Sequence, residues 1–174
     1  MNAPAPDPLL GVLSADGPSS RYPHRIATFG RLVGRWAVTS TRREREGADW
    51  EDVVFTWTVG YILDGRGVQD VAVVDDDAVP GGVRTVSTTV RVYDPLLGAW
   101  RVSYLEPERG EYAQLIASAH RDGIRQDGTR SDDKLIRWNF SGITGERYLW
   151  DSWVSDDEGA SWWLQAHNEG RRLA

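Results

Sequence analysis

The chain contains no cysteine, a single lysine (Lys134) and no apolar run near the ~20 residues that a membrane span requires. Without cysteine there are no disulfides, no thiolate nucleophile and no cysteine-ligated metal, while the redox compartment stays open. Acidic residues outnumber basic ones, 26 to 20, for a formal net charge of −6. No basic excess is left over to hold nucleic acid or an anionic membrane surface. The apolar stretch Pro8-Leu9-Leu10-Gly11-Val12-Leu13 is short and lacks a basic flank, so it does not read as a signal peptide, and a cytoplasmic location is expected. Long helical periods are also scarce, because turn residues punctuate the chain every ~8–15 residues. What the 174 residues do have is tryptophan: nine, with six tyrosines and three phenylalanines.

Residues 1–25, rich in Pro, Ala, Ser and Gly, show no hydrophobic period and are expected to form a flexible arm ahead of one domain spanning 26–174. Ile26, Phe29, Leu32 and Val33 then recur at helical spacing and predict a short helical turn leading into that domain. From Gly34 the period becomes two. Val53, Phe55, Trp57 and Val59 alternate with mostly polar residues, as do Trp100, Val102 and Tyr104, and Ile136, Trp138 and Phe140. Val86, Val90 and Val92 lie opposite Thr85, Ser87, Thr89 and Arg91, which reads as valines inward and polar residues outward. Turn residues delimit strands at 34–44, 51–60, 67–75, 83–93, 99–105, 111–121, 134–141, 146–154 and 161–168, with a short strand near 124–126 between Asp122-Gly123 and Asp127-Gly128. The segment 111–121 fits a helix or a strand, and is taken as strand because its neighbours are strands. An all-β fold follows: an antiparallel up-and-down barrel of nine or ten strands, with a two-sheet sandwich as the rival.

Gly34-Arg35-Trp36 opens the first long strand, and the last strand is followed by Arg171 and Arg172. A Gly-x-Trp at the start of a meander and an arginine at its end resembles the lipocalin, or calycin, superfamily. With Asp64-Gly65 leading to Asp70 and the ordered C-terminal set Tyr148, Trp150, Asp157 and Trp162, the chain looks like a bacterial lipocalin-like domain distantly related to the nitrobindins. The resemblance implies that Trp36 closes the barrel floor beneath an arginine, for which Arg171 is the candidate. The aromatic strand faces predict a hydrophobic or aromatic small-molecule ligand, and the chain is expected to be a monomer or homodimer. The string from Ser155 to Trp162 further fits an Asp-box, Ser-x-Asp-x-Gly-x-x-Trp, in which Asp157 and Trp162 are structural.

At nine or ten strands a barrel has room for one guest. Phe55, Trp57, Trp100, Tyr104, Trp138 and Trp150 are the candidate ligand-binding residues, with Ala113, Ala117 and Ala119 leaving space opposite the indoles. The alternative is a cofactor-free enzyme of bacterial secondary metabolism, a cyclase, isomerase or dehydratase acting on a polyketide-like substrate in the same cavity. Its candidate acid/base groups are Asp70, Tyr104 and His120. Asp70, flanked by valine and alanine, is expected to accept bonds from an interior arginine, Arg66 or Arg42, and Asp151 between tryptophans is expected to pin the barrel in the same way. The three histidines share no metal-ligand spacing, so neither a metal nor a cofactor is expected from the pattern. The nitrobindin resemblance offers one exception, haem held through His167.

Overall fold

The computed structural model describes residues 7–174. Two short helices, α1 (Pro8–Leu13) and α2 (Pro23–Gly30), and eleven strands are present among them. After β1 (Ser14–Ala15) the strands are β2 (Gly34–Arg42), β3 (Glu51–Ile62), β4 (Gly67–Asp75), β5 (Val83–Asp94), β6 (Ala99–Glu106), β7 (Glu111–His120), β8 (Gly123–Arg130), β9 (Leu135–Ser141), β10 (Arg147–Ser155) and β11 (Trp163–Arg172). From β2 onward each strand pairs antiparallel with its chain neighbours, and β11 returns to pair with β2. The ten strands β2–β11 therefore form a closed up-and-down barrel, the predicted fold class. No described helix is long and apolar enough to cross a membrane.

Two local departures from expectation, at 8–15 and in β8, have simple causes, while 111–121 is the strand expected. The segment 8–15, expected to lack structure, carries a helical turn capped by the Asp7 carboxylate and a two-residue strand. β3 overhangs β2 here: Gly34 pairs with Val59, which leaves Tyr61 and Ile62 beyond the end of β2, and Ala15 and Ser14 take that edge. The ambiguous 111–121 segment is strand β7, with Ala113, Leu115 and Ala117 buried and Tyr112 and Ile116 exposed. β8 is a full eight-residue strand, and Asp127-Gly128, expected to be a turn, lies inside it. Gly128 serves close approach there, because a methyl group on it would run into the Gln114 carbonyl oxygen.

One end of the barrel is plugged by α2, whose Ile26 and Phe29 are completely buried together with Leu32 just beyond the helix. Phe29 meets Trp100 edge-on at 4.9 Å and Phe140 at 6.4 Å. Trp36 lies under this plug, fully buried, its indole N–H donating to the Leu32 carbonyl at 2.8 Å. Arg172, the cross-strand partner of Trp36, holds its guanidinium 4.1 Å from the indole centroid. The same guanidinium donates to the carbonyls of Val33 (2.9 Å), Arg31 (3.4 Å) and Gly145. Gly34 has φ +137°, and any side chain on it would collide with Arg172, so the glycine of Gly-x-Trp makes room for the arginine. Arg171, expected to fill this role, instead pairs with Ala37 and is exposed. The period of two decides it, since buried Gly170 and Arg172 share the inner parity.

Arg172→Ala is expected to lower stability by about 2–3 kcal/mol, combining a cation–π contact and several carbonyl hydrogen bonds. Arg171→Ala should change it by less than ~0.5 kcal/mol. Urea midpoints of the two variants check the assignment, and equal losses would refute it.

Candidate functional site

Above the plug the barrel is hollow, with a cavity of about 600 Å³ open at the end opposite α2. Aromatic rings form its floor. Trp57 and Phe140 lie nearly parallel at 6.0 Å, and Tyr148 meets Trp57 at 5.3 Å and Trp36 at 5.0 Å. Burial raises the Tyr148 phenol above its ordinary pKa, and the nearby Asp70 charge adds to the shift. Higher up, Tyr104 meets Trp138 at 5.2 Å and 88°, and Trp138 meets Trp150 at 5.4 Å and 61°. Phe55, Val53, Val74 and Val86 continue the wall toward the mouth. The cavity is off-centre, since β7 contributes only Glu111 to its lining and β8 contributes nothing. On that side Val102, Leu115, Ile124 and Ile136 fill the interior.

The opposite wall is polar, which reverses the sequence expectation for β5. Ser87, Thr89 and Arg91 point inward and are buried, whereas the valines expected at the core, Val90 and Val92, are only half-buried. The hairpin register enforces this: inward Asp70 pairs with Thr89, and inward Ala72 with Ser87. A bulge between Ala72 and Val73 then brings Val86 to the cavity as well. Asp70 is ion-paired with Arg91 and accepts from the Thr89 amide at 3.1 Å. Its partner is therefore Arg91 from the next strand; Arg66 pairs instead with Asp64 and Arg42 with Glu51, both near the surface. The Arg91 guanidinium also sits 5.2 Å from the Phe29 ring and 6.0 Å from Trp57, directly on the floor.

Near the mouth the Tyr104 hydroxyl donates to Glu106 Oε2 at 2.7 Å. Burial and the adjacent Glu106 charge push the phenol far above its ordinary pKa, so it is a neutral donor at any physiological pH. Glu111, opposite Glu106 in the β6–β7 register, is also raised by burial. The rim itself is held by Arg43, whose guanidinium lies between Trp50 (4.6 Å) and Trp163 (5.4 Å) and donates to the Leu164 carbonyl at 2.8 Å. Among the described residues, Arg91 Nε, Trp138 Nε1 and Asn168 Oδ1 are buried in the cavity wall without a hydrogen-bond partner.

Of the residues singled out from sequence, Phe55, Trp57, Tyr104, Trp138, Trp150 and Asp70 converge on this cavity. Trp100 does not; it is packed under the plug against Phe29 and Tyr93. His120 is separated from Asp70 and Tyr104, exposed at the plugged end of β7 beside a shallow outer groove. His167 points outward, its Nδ1 2.7 Å from Asp151 Oδ1, and no histidine lines the cavity. Asp151 thus braces the outer wall and not the interior. Ala113 and Ala117 face inward, but Tyr104 and Trp100, their neighbours on β6, occupy the space beside them, and Ala119 is exposed. Arg91, Ser87, Thr89 and Glu106 are lining residues that the sequence reading missed. The signal available for Arg91 was Asp70 itself, a carboxylate among apolar residues that needs a cation close by.

The Asp-box segment forms the β10–β11 hairpin tip. Asp157 accepts from the Ser161 amide (2.8 Å), the Ser161 hydroxyl (2.6 Å) and the Ser155 hydroxyl (2.8 Å). Trp162 donates to the Gly159 carbonyl at 3.2 Å, beneath the Arg137 guanidinium at 4.3 Å.

No family model and no curated protein matches the chain. A solved structure does: the S-type phycobiliprotein lyase CPES from Guillardia theta, with a TM-score of 0.58 and 11% identity over 84% of this chain and 90% of that one. The fold is a calycin-like barrel. At that identity the likeness is one of fold, and it extends neither to the nitrobindins nor to a bacterial source.

Removing one member of the buried ion pair leaves the other uncompensated, so Asp70→Ala is expected to cost about 3–5 kcal/mol. Replacing both, Asp70→Leu with Arg91→Met, should recover most of that loss in urea unfolding; a double variant as unstable as the single one would overturn the pairing. The Asp157 carboxyl is held down at about 2 by the Ser161 and Ser155 bonds. A lowered carboxyl pKa contributes stability above its ordinary value near 3.8 that is lost as pH falls toward about 2. Protection of the Ser161 amide, its exchange rate relative to an unstructured amide at the same pH, should therefore fall across that window in the wild type and stay flat in Asp157→Asn.

Proposed function

We propose that the protein binds a flat, largely apolar small molecule bearing polar groups, held in the barrel cavity. The observation that carries this reading is a single open chamber of about 600 Å³ with one aromatic wall and one hydrogen-bonding wall. That volume lies within the usual range for small-molecule sites, and a mixed lining fixes orientation as well as affinity. The body of the ligand would lie against Trp57, Phe55 and Trp150 and gain from burial of apolar area. Ser87, Thr89 and Arg91 would meet its polar atoms. The fold adds support of a general kind, since a phycobiliprotein lyase is built on the same barrel.

The catalytic alternative has less behind it. Its three acid/base candidates do not assemble: His120 lies outside the cavity, Asp70 is committed to Arg91, and the Tyr104 hydroxyl is committed as a hydrogen-bond donor to Glu106. The haem alternative loses its ligand to the outer wall, where His167 pairs with Asp151.

Tryptophan fluorescence provides the test, because Trp57, Trp138 and Trp150 all line the chamber. Naphthalene- and biphenyl-sized compounds should quench it saturably. Val74→Trp, which fills the mouth, should weaken that binding at least ~10-fold while costing no more than the ~1–3 kcal/mol of ordinary overpacking. Quenching that is unsaturable, or unchanged by the blocking substitution, would defeat the proposal.

A further inference from the structure

The chamber also says which kind of polar group its guest carries near the mouth. We propose that the ligand bears a protonated amine, whose N–H is accepted by Glu106 Oε1 beside the rings of Tyr104, Trp138 and Trp150; this rests on the reading of the cavity as a binding site. Glu106 is 7% exposed and lines the chamber. Its Oε2 is taken by the Tyr104 hydroxyl at 2.7 Å. Its Oε1 has no hydrogen bond among the described residues, and its nearest cation, Arg109 Nε, lies 3.9 Å away. That oxygen is open to the cavity, which is the direction from which a donor can arrive.

The balance of charge selects a cation over a neutral donor. Glu106 and Glu111 face each other across the β6–β7 pair at the cavity's upper edge. Arg109 is the arginine that approaches Glu106, and it is shared with Glu44 at 3.8 Å. Arg130, the other arginine near Glu111, commits two hydrogen bonds to Asp132, at 2.9 and 2.7 Å. The rim arginines are engaged elsewhere: Arg42 with Glu51, and Arg43 between Trp50 and Trp163. On the floor Asp70 and Arg91 cancel. Over the whole lining six carboxylates face five arginines, Arg43 and Arg45 included, which leaves one carboxylate in excess.

The rings suit the same guest. Tyr104, Trp138 and Trp150 meet at 88° and 61° and are not stacked, so a flat body lies along one of them while the others stand as side walls. A compact ammonium near such electron-rich faces gains electrostatic attraction in addition to its hydrogen bond. The flat body would extend toward the more parallel pair, Trp57 and Phe140, on the floor.

Three isosteric probes decide the matter by fluorescence titration at neutral pH: naphthylmethylamine, naphthylmethanol and naphthoate. A charge-assisted hydrogen bond predicts that the amine binds roughly 10- to 100-fold more tightly than the alcohol, with naphthoate weakest. Glu106→Gln should abolish the preference of amine over alcohol; the wild-type series decides alone if the variant does not fold. Equal binding of amine and alcohol, tighter binding of naphthoate, or a preference that survives Glu106→Gln would overturn the cation site while leaving the cavity reading intact. Failure of all three probes to bind would overturn both.

Discussion

Closure of ten strands into one ring is the constraint from which the rest of this structure follows. Strand number sets the diameter, and about eight strands give an interior that side chains just fill. Ten give more width than that, so the interior must be plugged, packed from one side or left open. This chain does all three. α2 inserts Ile26 and Phe29 at one end, Val102, Leu115, Ile124 and Ile136 fill the β6–β9 side, and the remaining volume opens at the far end. Stability is concentrated where rings interlock around Trp36, and the space for a guest lies where the walls no longer meet. The two halves share strands but little else.

A half-open interior changes what an inward position demands. In a solid barrel the inner face of β5 would have to be apolar, and its valines would occupy it. Here Ser87, Thr89 and Arg91 face inward toward an accessible chamber, and the hairpin with β4 leaves no other choice once Asp70 is inside. Burying two charges is costly, but partial access from the cavity and the Thr89 amide reduce that cost. Phe29 and Trp57 lie on one side of Arg91 and open space on the other, so the pair marks the boundary between floor and chamber.

Much of the fold was legible in the sequence, because period-two alternation holds through the aromatic stretches of β3, β6 and β9. Phe55, Trp57, Tyr104, Trp138 and Trp150 were placed by that alternation alone. What alternation does not encode is height along the barrel axis. Trp100 has the same inward parity as Tyr104, yet four residues separate the plugged floor from the chamber. Nor does it say which of two half-buried faces is inside, and a face of Ser, Thr and Arg resembles a solvent face unless the interior is wet. The misassigned floor arginine is a parity error of one residue between Arg171 and Arg172. Gly128 was misread because a glycine demanded by a neighbouring backbone looks, in sequence, like a glycine demanded by a turn.

The distribution of tryptophans shows how one residue type serves both halves. At the floor Trp36 and Trp100 are locked by neighbours at about 5 Å, and the indole N–H of Trp36 is spent on the Leu32 carbonyl. In the chamber Trp150 keeps part of its surface free, and the N–H of Trp138 is buried without a protein partner. A donor left unpaired in a finished core costs more than the same group exposed to water, so its persistence beside a cavity fits a wall whose polar groups are completed by a guest. Glu106 Oε1, open to the same chamber, also accepts no hydrogen bond among the described residues. The indole N–H of Trp36 at the floor is satisfied by the protein and that of Trp138 in the chamber is not, and this difference separates an indole of the core from an indole of the binding wall.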